Sequence, residues 1–208
     1  MNNNALILFT RNPELGKCKT RLAKTIGDVQ ALNIYKYLLK HTANISKQVN
    51  ADRFVFYSEQ IIKEDIWDSS RFYKMLQKGE DLGARMHHAF QILFNKGYKK
   101  CIIIGSDLYD LHPDDIEKGY KQLENSDVVI GPSEDGGYYL LGIKSLQNNI
   151  FKNKAWGTDS VFQDTVTDLE KKNIAFLDAK NDIDTWDDIK DIDALVNMFN
   201  LKPLKKQR

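Results

Sequence analysis

The chain has little cysteine and little proline. Its two cysteines, Cys18 and Cys101, stand far apart, one in a polar stretch and one in an apolar run, with no C-x-x-C spacing and no ligand cluster nearby. This argues against a disulfide scaffold or a thiolate metal site and fits a reduced, cytoplasmic protein. Long hydrophobic runs are missing too: no segment approaches the roughly 20 apolar residues of a membrane span. The first apolar stretch, residues 5–9, is shorter than the roughly 7–15-residue core of a secretory leader and lacks a basic lead-in. Charge of one sign is also lacking, since 30 Lys and Arg face 29 Asp and Glu and leave +1. No nucleic acid and no membrane surface is called for as a partner, so any charge effect must be local. Repeats, linkers and low-complexity tracts are absent. A chain of 208 residues suits a single domain with a sizeable core, residues 1–208, ending in a short basic tail over 198–208 that reads as frayed.

What is present is an alternation of short apolar runs and helical periodicities, the pattern of an α/β fold. Residues 5–9 read as a buried strand. Residues 28–49 carry Leu32, Tyr35, Leu38, Leu39 and Ile45 at helical spacing, and residues 53–57 follow as a strand, completing a β-α-β unit. A short helix with a loop is expected within 61–70, a strand over 72–77, and a helix from Leu82 to Gly97 with Met86, Phe90 and Leu93 on its apolar stripe. His87 and His88 adjoin on that helix and cannot face one metal, so they read as surface or packing residues. Residues 113–123 form a helix opened by Pro113, and 128–131 and 138–141 read as strands. A helix over 160–171, capped by Thr158 or Asp159, precedes a last strand at 174–177. Asp187 and Asp188 are expected at the start of a closing helix capped by Thr185 or Asp184.

The chemistry concentrates in four places. Cys101-Ile-Ile-Ile-Gly-Ser-Asp107 runs apolar residues straight into a lone carboxylate, the signature of a buried parallel strand delivering an acid to the sheet edge where ligands bind in open α/β folds. After the first strand, Gly16, Lys17, Lys19 and Arg21 make a glycine-bearing cationic loop ahead of a helix, which suits phosphate oxygens; it lacks the spacing of a Walker loop. Glu134-Asp135-Gly136-Gly137-Tyr138 reads both as bare backbone for a ligand and as a hairpin turn. Asp182-Ile-Asp184 alternates two carboxylates, which on an extended segment point the same way, as ligands for one hard cation would. Oxygen-only ligands suit Mg²⁺ or Mn²⁺. Trp156 reads as a lid residue or as core.

Five motifs in this order resemble the nucleotide-diphospho-sugar transferase superfamily, and within it a bacterial branch of the DUF2064 type related to 2-phospho-L-lactate guanylyltransferase. They are Phe9-Thr10-Arg11 with Gly16-Lys17-x-Lys19-Thr20-Arg21-Leu22, Gln77-x-Gly79-x-x-Leu82-Gly83-x-Arg85-Met86, Gly105-Ser106-Asp107, Glu134-Asp-Gly-Gly-Tyr-Tyr139 and Asp182-Ile-Asp184-Thr185. The resemblance implies a single Rossmann-like α/β/α sandwich of GT-A type with a mostly parallel sheet, and Asp107, Asp182 and Asp184 as holders of Mg²⁺ or Mn²⁺. It implies a nucleotide held by Thr10, Arg11, Gly16, Lys17, Lys19, Arg21 and Ser106, with Gly79, Leu82 and Gly83 bordering the base. Asp135, Gly136, Gly137, Tyr138, Trp156 and Thr158 would line the acceptor side. Tyr109 departs from the pattern, which usually has Pro there, and leaves the shape of that loop open.

Two activities are compatible with this apparatus. In nucleotidyl transfer, a small phosphorylated or carboxylated acceptor attacks the α-phosphate of a nucleoside triphosphate, with Lys17, Lys19, Arg21 and Asp107 as the catalytic candidates and pyrophosphate leaving. In-line chemistry of this kind needs positioning and charge rather than a side-chain nucleophile, which agrees with the absence of a Ser/His/Asp or Cys/His set. In glycosyl transfer, a nucleotide sugar is the donor; Ser106-Asp107-Leu108 carries only one Asp where Asp-x-Asp is usual, which favours the first reading modestly. A non-catalytic nucleotide binder is the third reading, disfavoured because three acids around one point repel each other. A homodimer is left open.

Overall fold

The computed structural model describes residues 2–204 of the chain. Seven strands, β1 (Asn4–Thr10), β2 (Asp52–Tyr57), β3 (Tyr73–Leu76), β4 (Lys100–Ile104), β5 (Val128–Pro132), β6 (Tyr138–Ile143) and β7 (Ile174–Phe176), form one sheet in the order β3-β2-β1-β4-β6-β5-β7. Every pairing is parallel except those of β6, which runs against β4 and β5. The expected mostly parallel α/β sheet is therefore present. Because β6 alone runs backwards, the other strands end on the same edge, and their outgoing loops meet there.

Alternation along the strands builds two separate cores. Leu6 and Leu8 of β1, Val55 of β2 and Ile102 and Ile104 of β4 face α2 (Asp28–Ser46) and α4 (Pro113–Asn125), which contribute Tyr35, Leu39, Ile116 and Tyr120. Ala5 and Ile7, Phe54 and Phe56, and Cys101 and Ile103 face the opposite way onto Met86, Phe90 and Leu93 of α3 (Leu82–Asn95). α5 (Val161–Asp168) adds Phe162 and Val166 to that side. The outer side of α2 carries a third cluster, in which Ile34 and Leu38 pack with Leu22 and Ile26 of α1 (Thr20–Ile26) and with Ile183, Ile189, Leu195 and Leu201 from the end of the chain. Leu195 belongs to α6 (Asp193–Met198). The C-terminal segment is thus strapped to the helices that follow β1. Leu201 is buried and the Leu204 amide donates to the Thr25 carbonyl; residues 205–208 of the expected tail lie outside the described residues.

Three local expectations are corrected. No helix forms in 61–70: the Asp65 carboxylate accepts from the Trp67 amide at 3.0 Å and from the Tyr57 hydroxyl at 2.7 Å, a side-chain bonding pattern that competes with helical backbone. The helix expected over 160–171 covers only Val161–Asp168, and its Ser160 cap position makes no side-chain capping bond; the first-turn Phe162 amide donates instead to the Gly136 carbonyl at 2.9 Å. The closing helix begins at Asp193, not at Asp187, since Asp188 is used in a turn where its carboxylate accepts from the Thr185 amide and hydroxyl at 2.6 and 2.7 Å. The glycine-rich stretch between β5 and β6 is a hairpin turn closed by the Ser133 amide donating to the Gly137 carbonyl at 3.0 Å.

Two outcomes test this packing. A Cβ on Gly142 of β6 would stand 2.5 Å from Val129 and 2.9 Å from Ile102 in the centre of the sheet, so Gly142→Ala should cost about 1–3 kcal/mol, read as a lower urea midpoint; an unchanged midpoint would contradict the packing. Both thiols are buried, and burial pushes Cys101 up to about 12 and Cys18 above its ordinary value. Since only the thiolate reacts, Ellman's reagent at pH 8 should modify neither cysteine in the folded protein and both in urea.

Candidate functional site

Gly105-Ser106-Asp107 carries the chain off the end of β4 as the sequence anticipates. Ser106 is buried and Asp107 is the first acid beyond the strand. Behind it, Tyr109 packs against Tyr37 and His41 of α2 with ring centroids 6.4 and 6.2 Å away. Aromatic contact with α2 thus supports the loop at the position where a proline was expected.

Lys19 meets Asp107 from the loop after β1. It adopts a left-handed backbone conformation, φ 50° and ψ 45°, a cost of order 1 kcal/mol for a side-chain-bearing residue that surrounding contacts must sustain. Its side chain is 6 % exposed, with the ammonium 2.8 Å from Asp107 and 3.8 Å from Asp184. Burial works to strip the Lys19 charge, but the carboxylates of Asp107, Asp182 and Asp184 more than offset it and hold the pKa above the ordinary lysine value. Arg21 completes the cluster at 2.9 Å from Asp184. Lys17 does not join it: the side chain is 70 % exposed and pairs with Glu14 at 2.6 Å.

Two buried polar residues set this loop. The Arg11 amide donates to the Tyr35 hydroxyl at 2.9 Å, and the same hydroxyl lies 3.4 Å from those of Thr10 and Ser106, so one α2 side chain ties the ends of β1 and β4 together. The Asn12 side chain donates to the Gln60 carbonyl at 2.8 Å and accepts from the Glu59 amide at 3.0 Å, joining the loops after β1 and β2.

The acidic pair near the C-terminus arrives by a different route. Ile183 is buried against α1 and α2, its amide donates to the Asp107 carbonyl at 3.2 Å, and Asp182 bridges to Leu108. Ile183 anchors the flanking acids, and they meet different partners. Asp184 is taken by Arg21 and Lys19, whereas Asp182 accepts from the Ser133 hydroxyl at 3.2 Å. Burial, and then the neighbouring Asp107 charge, push the Asp182 carboxyl up to about 6. Among the described residues no three His, Cys, Asp or Glu side chains close on one point.

Two cavities open over the strand ends and share Asp107, Gly105, Phe9 and Leu82 in their walls. The larger, about 660 Å³, is bounded by Thr10, Arg11, Lys17, Lys19, Arg21 and Ser106, together with Asp184. The smaller, about 230 Å³, is bounded by Asp135, Gly137, Tyr138, Trp156 and Thr158, together with Asp182. Four expected glycines are absent from these walls. Gly16 turns the first loop at φ 74°, Gly79 sits at φ 143° against the Ala84 backbone, Gly83 is wedged against the Phe151 carbonyl and the Trp156 ring, and Gly136 against the Asp159 backbone. The sequence reading passed over Asn12, Tyr35, Glu59, the Gln77 side chain, Arg85 and Ser133. Gln77 and Arg85 lay inside a quoted motif; Tyr35 was indistinguishable from a core residue on its helical stripe.

Comparison with known proteins agrees with this architecture. A crystal structure of a protein from Desulfovibrio desulfuricans G20, provisionally assigned as a nucleotide-diphospho-sugar transferase, superposes with a TM-score of 0.85 at 28% identity over 96% of this chain and 99% of that one. Two more distant structures share the fold: CMP:2-keto-3-deoxy-manno-octonic acid synthetase complexed with CTP (TM-score 0.61, 12% identity, 94% of this chain and 98% of that one), and 4-diphosphocytidyl-2C-methyl-D-erythritol synthase from Anaerococcus prevotii DSM 20548 (TM-score 0.62, 11% identity, 94% and 96%). No curated protein matches significantly. The family described as "Uncharacterized protein conserved in bacteria (DUF2064)" matches residues 41–158, more than half of the chain, and the protein belongs to that family.

Proposed function

We propose that the protein is a nucleotide-dependent transferase that binds the phosphates of a nucleoside triphosphate in the larger cavity and a small acceptor in the smaller one. The observation that carries this reading is the position of Asp107 in the wall common to both cavities, with cations on one side only. Arg11, Lys17, Lys19, Arg21 and Arg85 border the larger cavity alongside Glu14, Glu59, Asp107 and Asp184, and this wall of cationic donors suits phosphate oxygens. CMP:2-keto-3-deoxy-manno-octonic acid synthetase and 4-diphosphocytidyl-2C-methyl-D-erythritol synthase, which share the fold, support nucleotidyl transfer as the class.

In the proposed reaction an acceptor oxygen forms a bond to the α-phosphorus while the bond from that phosphorus to the bridging oxygen breaks. Pyrophosphate leaves with the electron pair. Lys19 and Arg21 offset the charge that accumulates on it, and Arg11 holds the phosphates in line; Lys17, outside the buried cluster, supplies charge at the rim. Magnesium or manganese, implied by the resemblance, would find two of the three expected carboxylates: Asp184 is held by Arg21 and Lys19 and lies outside the smaller cavity, whereas Asp107 and Asp182 share its wall and would hold the ion. When bound, it would supply charge stabilisation at the phosphate. Glycosyl transfer from a nucleotide sugar is the second reading, favoured by the description of the Desulfovibrio desulfuricans relative.

Turnover assays test the site directly. Asp107→Asn should lower turnover of a nucleoside triphosphate by about 10²–10³-fold, the usual consequence of removing one charge-stabilising group, and EDTA should abolish turnover in the wild type. Retention of wild-type rates by Asp107→Asn would remove Asp107 from the site. Tyr35→Phe leaves the Arg11 amide without its partner and should lower stability by about 1–3 kcal/mol while raising KM for the nucleotide; a stability loss with unchanged KM would make Tyr35 purely structural.

A further inference from the structure

The Lys19 ammonium stands between two possible partners, the acids at the strand ends and the larger cavity that its side chain borders. Its hydrogen bond goes to Asp107 Oδ2 at 2.8 Å; Asp184 lies 3.8 Å away, and the Asp182 charge also acts on it. The other carboxylate oxygen, Asp107 Oδ1, is turned back over Gly105, where a Cβ would stand 2.8 Å from it. Oδ2 is therefore the oxygen for which a divalent ion and the ammonium compete, since two cations on one carboxylate repel each other. We propose that Lys19 is an exchangeable counter-ion of these acids: phosphate oxygens in the larger cavity draw the ammonium away, and Asp107 is thereby released, together with Asp182, to a divalent cation. Metal and phosphate then bind cooperatively through one side chain. This rests on the reading of the larger cavity as the phosphate site and of Asp107 and Asp182 as the metal ligands.

Three further observations support the exchange. An ammonium carries three N–H donors, and among the described residues Lys19 spends its hydrogen bonding on Asp107 alone. Phosphate oxygens in the cavity it borders would meet donors to spare. Arg21 cannot take its place, because that guanidinium is exposed and holds Asp184 at 2.9 Å, outside the smaller cavity. Charge balance points the same way. Asp107, Asp182 and Asp184, when ionised, carry three negative charges and Lys19 and Arg21 return two, so a single charge is left to attract a divalent ion. With the ammonium drawn to phosphate two remain, which match it. The left-handed backbone of Lys19, φ 50° and ψ 45°, is strain of the kind that collects at ligand clamps and switch regions.

Mn²⁺ binding by the full chain at pH 8, read from the electron paramagnetic resonance signal of the free ion, tests this without turnover. Lys19→Met keeps the apolar stem and removes the charge; Lys19→Gly, which adopts the left-handed backbone without strain, guards against a folding defect in the first variant. Both should bind Mn²⁺ about fivefold or more tighter than the wild type, the lower end of usual couplings between sites, and the gain should vanish when Asp107→Asn is added. Arg21→Met removes an equal charge from an exposed pair and should shift the affinity by less than about twofold. Inorganic phosphate, corrected for its own affinity for Mn²⁺ in a protein-free titration, should tighten Mn²⁺ on the wild type by about fivefold or more and leave Lys19→Met unchanged. Lys19 variants that bind Mn²⁺ no tighter than the wild type, equal tightening in Arg21→Met, or an equal phosphate effect in Lys19→Met would overturn the exchange and leave the metal reading in place. No phosphate effect on the wild type would overturn it too, and would take Lys19 away from the phosphates. Absence of Asp107-dependent Mn²⁺ binding in every variant would remove the metal reading itself, and the exchange with it.

Discussion

The ion pair between Lys19 and Asp107 links three parts of the chain that are remote in sequence. Lys19 comes from the loop after β1 and Asp107 from the end of β4, while Asp184, 3.8 Å from the same ammonium, comes from the C-terminal strap. Each charge alone would be expensive where it stands, the lysine above all, because its side chain is almost wholly buried. The neighbouring carboxylates keep the Lys19 ammonium charged. Breaking a buried pair by deleting one partner leaves an uncompensated charge and costs about 3–5 kcal/mol when both groups are buried. Asp107 and Asp184 are each a third exposed, so the cost here lies below that range, and the pair's consequence is mainly geometric: it sets the distance between the cationic loop and the acids.

The rest of the fold serves that distance. Parallel pairing of β1 with β2 and β4 brings the relevant loops to one edge. Tyr35 holds the β1 and β4 exits together, and Asn12 holds the β1 and β2 exits. Ile183 pins the strap, and its two flanking acids enter the walls of different cavities. Lys19 itself is held in a left-handed conformation that an isolated loop would not favour. Such strain persists where the surroundings over-determine it, and here the surroundings are the carboxylates.

Much of this was legible in the chain itself. The strands announced themselves as apolar runs, and Asp107 stood out because an acid directly after such a run has few structural reasons to be there. The family resemblance and the α/β fold with its mostly parallel sheet were readable from motif order. What could not be read was what depends on contacts across the fold. Tyr35 sits on the same stripe as Leu38 and Leu39, and nothing in its spacing says that its hydroxyl reaches the strand ends. Asp182 and Asp184 alternate as expected, yet burial of the intervening Ile183 sends them to different cavities. Glycines at 79, 83 and 136 read as ligand-facing backbone, whereas steric closeness to neighbouring backbone and the Trp156 ring is what requires them. The charge contrast between the cavities was invisible for the same reason, since each wall draws on several distant segments.

A crystal structure with a bound nucleoside triphosphate tests the central claim most directly. The account predicts its phosphates within hydrogen-bonding distance of Lys19 and Arg21, with the α-phosphate beside Asp107 at the wall shared by the two cavities. Phosphates in the cation-free cavity, or a nucleotide bound away from the strand ends with the Lys19–Asp107 pair untouched, would contradict it.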